Sequence, residues 1–284
     1  MNTILVTGVT GLLGSNLVKV LIANKYNVIS SVRADKVSSY MPQLGEVVIS
    51  DELLFEGKFP KVDVIVNCAF ARSNESERLA SALDFTTKLI NGLKIAKVYN
   101  VINISSQGVY KRLPVGQLSK ENSPISPIDL YSIAKYASEN LFIASGIPYV
   151  TNIRLASLNM RQRFLYSFIQ SAKNEGVIHV NSPKVYASLL DVNDAVNAIL
   201  SILQIQPLSW APVYNVGTGN QTSLLEYAKI VKKVGLKLGY KVNIIIDDND
   251  YTSTSGADIS LIYNDTGWRP NIKLEDMIEK MFNV

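Results

Sequence analysis

Short apolar runs alternate with helix-like stretches along the first half of the chain. Apolar runs rich in β-branched residues fall at 3–7, 27–32, 46–50, 62–67, 99–105 and 148–154. Between them, apolar residues recur at helical spacing over 12–25, 76–97 and 128–145. Strands that alternate with helices in this way favour right-handed crossovers and a sheet covered on both faces. The pattern therefore predicts an α/β fold built on a doubly wound parallel sheet.

The alternation becomes less regular after about residue 155. Helix-like segments follow at 161–175, 191–205 and 222–238, and short strands are predicted at 177–180, 212–216 and 241–246. Pro, Gly and Asn residues separate these segments. We expect a smaller C-terminal region of mixed α/β structure, without a further βαβ repeat.

Composition excludes several kinds of site. Among 284 residues, Cys68 is the single cysteine and His179 the single histidine, so neither a disulfide framework nor a zinc site of the usual ligands is expected, and we predict no metal. The net charge of +4 is spread along the chain, which argues against a nucleic-acid partner. No apolar stretch approaches the ~18 residues of a spanning helix, and no signal-like segment precedes the first strand. We therefore expect a cytoplasmic protein without a membrane partner.

A glycine-rich loop links the first strand to the first helix. Residues 7–14 read TGVTGLLG, which places Gly8 at the end of the strand and Gly14 inside the helix. Glycines in this position permit a tight turn and a close approach of the backbone to a pyrophosphate, which the N-terminus of the helix then binds. The loop predicts a nucleotide cofactor. The residues expected to contact it are Gly8, Thr10, Gly11, Leu12, Leu13 and Gly14.

The spacing of this loop resembles that of the extended short-chain dehydrogenase/reductases, the NAD-dependent epimerase/dehydratase family. Further segments resemble the family's motifs in the same order: NCAFA at 67–71, ISSQGVY at 104–110, YSIAK at 131–135, VND at 192–194, YNVGTG at 214–219 and GWRP at 267–270. The resemblance implies a Rossmann-type NAD(P)-binding domain over residues 1–154, to which 187–210 also belongs. Residues 155–284 are then mainly the substrate-binding region.

Tyr131 and Lys135 are the predicted centre of the chemistry. They stand four residues apart on one predicted helix and so share a face. A free tyrosine has a pKa near ~10, and a lysine ammonium together with an oxidised nicotinamide would lower it. Tyr131 could then exchange the proton of a hydroxyl group while hydride moves to or from the cofactor. The resemblance adds Ser106 as the hydroxyl that binds the reacting oxygen.

The two positions after Ser106 limit the reaction. Gln107 and Gly108 stand where the family's dehydratases carry an acidic pair, and elimination of water needs such a pair. A dehydratase is therefore disfavoured, and epimerisation or simple ketone reduction remains. Gln107 becomes a candidate substrate contact.

The end of the second strand bears on the choice of cofactor. The family's NAD-binding members place a carboxylate there, whereas this chain has Val32 followed by Arg33. A guanidinium suits the 2′-phosphate of NADP, so we expect NADP rather than NAD, although Asp35 lies close by. By resemblance, Asp51 contacts adenine. The resemblance also places Cys68, Ala69 and Phe70 on the nicotinamide side.

The resemblance is weakest where the substrate binds. Ala187 and Ser255 or Gly256 stand where the family usually has arginines for a substrate diphosphate. Candidate contacts in the neighbouring segment are Arg154, Ser157 and Arg161, with Arg163 and Lys184 as further cations. The substrate is then an unusual nucleotide-activated sugar, or it lacks a diphosphate.

These observations give a ranked prediction of function. The first choice is an NADP-dependent reductase of a keto sugar, most often nucleotide-linked in this family. The alternative is an NAD-dependent sugar-nucleotide epimerase, and the third is a non-catalytic protein that senses the cofactor. A homodimer is expected by resemblance alone. The sequence does not identify the sugar or the nucleotide.

Overall fold

The computed structural model describes residues 3–37, 47–158, 163–247 and 251–283. Its strands are β1 (Thr3–Thr7), β2 (Asn27–Val32), β3 (Val47–Ser50), β4 (Val64–Asn67), β5 (Asn100–Ser106), β6 (Tyr149–Leu155), β7 (Ser157–Leu158), β8 (Val177–Val180), β9 (Tyr186–Ala187), β10 (Leu189–Leu190), β11 (Val213–Val216), β12 (Thr222–Ser223) and β13 (Asn243–Ile246). Its helices are α1 (Leu12–Ala23), α2 (Asp51–Phe55), α3 (Ser76–Ile95), α4 (Leu130–Ile143), α5 (Arg163–Asn174), α6 (Val192–Gln204), α7 (Leu224–Lys237), α8 (Ser260–Thr266) and α9 (Leu274–Phe282).

A seven-stranded sheet forms the centre of the molecule. Its strand order is β11-β6-β5-β4-β1-β2-β3, and every neighbouring pair is parallel. The order reverses direction at β1, which lies between β2 and β4. In doubly wound sheets a crevice opens at such a reversal, beyond the carboxyl ends of the strands, and ligands bind there. The predicted fold class is confirmed.

Alternate residues of the central strand serve two different cores. Ile4 and Val6 of β1 pack with α1 and α6 on one face of the sheet, whereas Leu5 packs with α3 and α4 on the other. All three side chains are fully buried. This two-sided burial explains why the strands read as continuous apolar runs rather than as an alternating pattern.

The C-terminal region has a core of its own. α5, α7 and α9 pack together there beside β8, through side chains such as Leu165, Tyr227 and Ile278. The mixed region predicted from the sequence is thus present. β11, however, is the edge strand of the seven-stranded sheet, and α8 packs into the core that contains α1 and α6. The part of the molecule around the glycine loop therefore includes residues outside 1–154 and 187–210.

Several element boundaries differ from the sequence-based prediction. α1 ends at Ala23 rather than at residue 25, because Lys25 adopts a left-handed backbone with φ of 63°. Helices α2, α8 and α9 were not predicted. Each has 9 residues or fewer, which gives little helical periodicity to detect. Within the described ranges, no helix combines the length and the apolar character needed to cross a bilayer.

Candidate active site

The glycine loop is packed so closely that side chains would not fit. Gly8 has a φ of +67°, and a Cβ there would lie 2.6 Å from the backbone nitrogen of Ala69. A Cβ at Gly14 would lie 2.4 Å from the carbonyl oxygen of Gly8. Gly11 precedes α1, and no side chain caps this end of the helix. Free N–H groups at a helix N-terminus bind anionic groups, so the loop fits the pyrophosphate of a dinucleotide.

Two cavities meet at this loop and together have the size of a dinucleotide site. The larger, about 660 Å³, extends from Gly8 and Gly11 to the ends of β2 and β3. The smaller, about 200 Å³, lies behind the loop and reaches the ends of β5 and β6. Every residue predicted to contact the cofactor lines at least one of them: Gly8, Thr10, Gly11, Leu12, Leu13, Gly14, Arg33, Asp51, Cys68, Ala69, Phe70, Tyr131 and Lys135.

The far end of the larger cavity contains both acidic and basic groups. Asp51 begins α2, and its carboxylate accepts a hydrogen bond from the Ser31 hydroxyl. Burial raises the pKa of Asp51, although this hydrogen bond opposes the effect. Arg33 is exposed and lies 3.7 Å from the carboxylate of Asp35, and Lys36 also lines the cavity.

A turn after β5 brings Ser106 towards α4. The Ser106 hydroxyl accepts a hydrogen bond from the backbone N–H of Gly108 at 3.1 Å, which begins a short 3₁₀ turn over 107–109. α4 begins after Asp129, whose carboxylate accepts from the backbone N–H of Ser132 at 2.7 Å. A Cβ at Gly108 would lie 2.5 Å from the Ser132 hydroxyl, so a larger residue there would force that hydroxyl to move. Ser106, Tyr131 and Lys135 consequently line the same cavity.

Lys135 is enclosed between the sheet and an aromatic ring. Its side chain is almost fully buried, and Nζ donates to the carbonyl oxygen of Ile104 at 2.6 Å. The same atom lies 4.0 Å from the ring centroid of Phe70, which is cation–π distance. Burial lowers the pKa of Lys135 to about 7, while the nearby Cys68 and Glu139 act in the opposite direction.

The pKa of Tyr131 in the structure is not lowered by Lys135, as the spacing of the two residues had suggested. Burial raises its pKa to about 12, Arg72 lowers it, and Asp129 raises it further. The cation that favours the phenolate in this structure is therefore Arg72 rather than Lys135. Arg72 directly follows the NCAFA segment, so its position next to the cofactor side could have been anticipated from the sequence.

The guanidinium of Arg154 has its partners inside the protein. It is buried on β6, where Nη2 and Nε donate to the carboxylate of Glu139 at 2.8 and 3.1 Å. Nη1 donates to the carbonyl oxygen of Glu121 at 3.0 Å, and the guanidinium lies 4.7 Å from the ring centroid of Tyr110. These interior partners occupy the guanidinium, and Arg154 lines neither the smaller cavity nor the cleft described below, so its role as a substrate contact stays a prediction.

A larger cleft adjoins the smaller cavity. It measures about 1080 Å³ and shares Arg72, Ser106, Tyr131 and Ser157 with that cavity. Gln107 also lines the cleft, and its buried Oε1 has no hydrogen-bond partner among the described residues. Arg161 lies outside the described residues. Sequence reasoning did not identify Arg112, which lines the cleft together with Arg163 and Ser255.

Potential metal ligands are not grouped in the described parts of the chain. No cluster of three or more His, Cys, Asp or Glu side chains there could hold an ion. The two cavities and the cleft are instead lined by hydroxyl, phenol, ammonium and guanidinium groups.

Known proteins resemble the chain over most of its length. The sequence profile of the NAD-dependent epimerase/dehydratase family matches residues 4–217. A Methanocaldococcus jannaschii protein provisionally named a UDP-glucose 4-epimerase is 27% identical, over 99% of this chain and 97% of its own length.

Solved structures share the fold. The UDP-glucose 4-epimerase of Thermotoga maritima, solved with UDP-glucose, is 21% identical with a TM-score of 0.80, covering 99% of this chain and 97% of the other. The UDP-glucuronic acid 4-epimerase of Bacillus cereus, solved with UDP-glucuronic acid and NAD, is 18% identical with a TM-score of 0.79, covering 99% and 98% of the two chains.

Proposed function

This chain belongs to the NAD-dependent epimerase/dehydratase family, a family of enzymes, and from that premise we propose that it is an NAD-dependent epimerase of a nucleotide-activated sugar. One observation carries the proposal. Ser106 and Tyr131 line both the cavity behind the glycine loop and the adjoining cleft. A sugar bound in the cleft would therefore meet a nicotinamide at these two hydroxyl groups.

Epimerisation replaces ketone reduction as the first choice. Relatives over the full length are named as 4-epimerases, and the missing acidic pair at Gln107 and Gly108 still disfavours a dehydratase. Ketone reduction consumes a reduced cofactor in every turnover. Epimerisation instead regenerates the oxidised cofactor within each turnover.

We also propose NAD in place of the expected NADP. Relatives with this fold have been solved with NAD bound, and Arg33 already lies near the carboxylate of Asp35. That carboxylate reduces the attraction of Arg33 for a 2′-phosphate. The tightly packed loop at Gly8, Gly11 and Gly14 serves the pyrophosphate that both cofactors share.

In the proposed mechanism the residues of the chain move the proton and orient the sugar. Gly8, Gly11 and Gly14 would hold NAD beside this site, and the cofactor would supply a reversible hydride acceptor when bound. The Tyr131 phenolate takes the proton of the reacting sugar hydroxyl, and the phenol so formed later gives the proton back. Ser106 hydrogen-bonds the same oxygen and fixes its position. The guanidinium of Arg72 lowers the pKa of Tyr131 and so favours its phenolate form, while Lys135 lines the same cavity one helical turn along α4.

The direct test is conversion of a UDP-sugar. The protein is incubated with UDP-glucose and NAD, and appearance of the C4 epimer is followed by proton NMR. We expect interconversion without net formation of NADH, and loss of turnover in Tyr131→Phe. Stoichiometric oxidation of NADPH with a keto sugar, and no epimer from UDP-glucose, UDP-glucuronic acid or UDP-N-acetylglucosamine, would establish the reductase instead.

The assembly proposed for this enzyme is a homodimer. α4 presents exposed apolar side chains, with Leu130 51%, Ile133 49% and Ile143 60% exposed. Such a stripe on an outward helix face is typical of a surface covered by a partner. Light scattering should give twice the monomer mass for the native chain, and Ile133→Glu should shift it towards monomer. A cytoplasmic location stays a prediction that cell fractionation can check.

A further inference from the structure

The cleft beside Tyr131 carries an excess of positive charge. Four arginines line it, and one of them, Arg78, is paired with Glu75 at 2.7 Å. No carboxylate within the described ranges forms an ion pair with the other three, Arg72, Arg112 and Arg163. The other acidic group of the lining, Asp129, accepts the helix-capping hydrogen bond of α4. The cleft is therefore suited to an anion.

These three arginines lie at different parts of the cleft. Arg72 also borders the smaller cavity with Tyr131, so it belongs to the reacting end. Arg112 instead borders the cleft and a separate small cavity of about 70 Å³ that it shares with Ser255. Arg163, at the start of α5, borders the cleft alone. Arg112 and Arg163 therefore line the cleft without lining either of the two cofactor cavities.

The Arg112 guanidinium is held in place by a neighbouring segment. Nη1 donates to the Ser253 hydroxyl and to the carbonyl oxygen of Thr254, the latter at 3.1 Å. Nε and Nη2 have no hydrogen-bond partner among the described residues. A guanidinium fixed through one nitrogen loses little further freedom when its other donors bind a ligand. Its planar fork matches two oxygens of a phosphate group.

We propose that Arg112, with Arg163 as the second cation, anchors the diphosphate of the nucleotide-sugar substrate. This inference rests on the proposed function, because the diphosphate lies between the sugar that reacts and the nucleoside. When the sugar is at Tyr131, the diphosphate must occupy another part of the same cleft, and Arg112 and Arg163 line that cleft outside the cofactor cavities. Its two negative charges match these two guanidinium groups.

Binding measurements on the full chain loaded with NAD test this anchor. Calorimetry gives the Kd of UDP, of inorganic pyrophosphate and of uridine, which shares the base and ribose but carries no phosphate. Arg112→Ala should weaken UDP and pyrophosphate by roughly 10- to 100-fold, the range of a charge-assisted hydrogen-bonded contact, and leave uridine unchanged. Arg112→Lys should retain part of the affinity, and the exposed Arg269→Ala serves as the matched control.

Loss of the contact to Ser253 and Thr254 could disturb the fold of the Arg112→Ala variant. Arg112→Gln provides the second variant, since its amide can still donate to Thr254 but carries no charge. If Arg112→Gln binds UDP as tightly as the native chain, the anchor is wrong. If both variants weaken UDP and uridine equally, the role is structural and the anchor is again wrong.

Failure of the anchor can be told apart from failure of the proposed function. UDP binding that depends on Arg112, in a protein that epimerises no UDP-sugar, would keep the anchor and overturn the epimerase. Epimerisation with a KM that Arg112→Gln does not change would keep the epimerase and overturn the anchor. The expected result is a raised KM with a kcat within about threefold of the native value, because Arg112 binds away from the reacting carbon.

Discussion

Mutating the buried ion pair between Glu139 and Arg154 should lower stability without affecting substrate binding. The Glu139 carboxylate is fully buried and accepts from Arg154 at 2.8 Å. Removing one partner of a buried pair costs about 3–5 kcal/mol, because the other charge is left without compensation, whereas replacing both by apolar residues is often close to neutral. We therefore expect Arg154→Met and Glu139→Leu each to destabilise the protein, and the double variant to recover most of the loss.

The expected size can be converted into a melting temperature. For a chain of this length, 1 kcal/mol corresponds to roughly 2 °C, so each single variant should melt roughly 6–10 °C below the native protein. The double variant should melt within about 4 °C of it. Recovery stays incomplete because the Ser105 hydroxyl and the carbonyl oxygen of Glu121 lose their partners. The assays are thermal unfolding followed by circular dichroism, and KM for the nucleotide sugar in each variant that folds.

An exposed pair provides the control for this experiment. Lys237 and Glu279 lie 2.7 Å apart on the surface, where solvent screens the pair, so Lys237→Met should leave the melting temperature close to the native value. The prediction is wrong if Arg154→Met has the melting temperature of the native protein and raises KM several-fold. That outcome would return Arg154 to the substrate site, as the sequence first suggested.

Three further predictions concern the cofactor and the catalytic groups. Tyr131→Phe should lower kcat by about 10²- to 10⁴-fold with an unchanged Kd for NAD, measured by fluorescence titration; a comparable loss of NAD binding would contradict its role in proton transfer. Burial lowers the pKa of Lys135 to about 7 from its ordinary 10.5, so the unfolded chain binds more protons between these values and stability should rise with pH across that window. The free energy of unfolding, measured by urea titration at pH 7 and pH 9, should rise less between these values in Lys135→Met than in the native protein. An equal rise in both proteins would show that the lysine stays charged in the folded state. Gly14→Ala should destabilise the protein by about 1–3 kcal/mol and weaken NAD, because its Cβ would meet the carbonyl oxygen of Gly8; native melting and native NAD affinity would show that the loop can adjust.

The parts of the site that could be predicted are those that depend on local sequence. The glycine loop and the Tyr131–Lys135 pair each lie within one or two elements. Their spacing along the chain is therefore enough to predict how their residues are arranged in space. All cofactor contacts predicted from such motifs line the two cavities. The doubly wound sheet could be predicted for the same reason, because each βαβ unit is local in sequence.

The parts that could not be predicted depend on contacts between distant segments. Arg154 stands on a strand at a position that suggested a substrate contact. Only the folded chain shows that its guanidinium forms a buried salt bridge with Glu139. Arg112 follows the 3₁₀ turn after β5 without any recognisable motif. Its relation to the cleft arises because residues 253–254, far along the chain, pack against it. The pKa of Tyr131 likewise depends on burial and on Arg72, which spacing alone does not reveal.

Polar contacts fix the register of the sheet beneath the candidate site. Asn67 and Asn103 pair in register across β4 and β5, and the side chain of Asn67 donates to that of Asn103 at 2.9 Å. Asn103 in turn donates to its register partner Asn152 on β6 at 2.8 Å.

Two residues further along, a second polar contact crosses the same pair of strands. Ser105 on β5 stands opposite Arg154 on β6, and both side chains donate to Glu139 of α4. A slip of one residue would break every one of these contacts, whereas an apolar interior would tolerate it better. The same strand end carries Ser106, and the same helix carries Tyr131 and Lys135. These buried polar groups contribute little more to stability than apolar replacements of both partners would, but they hold β5 and α4, the two elements of the proposed chemistry, in one alignment.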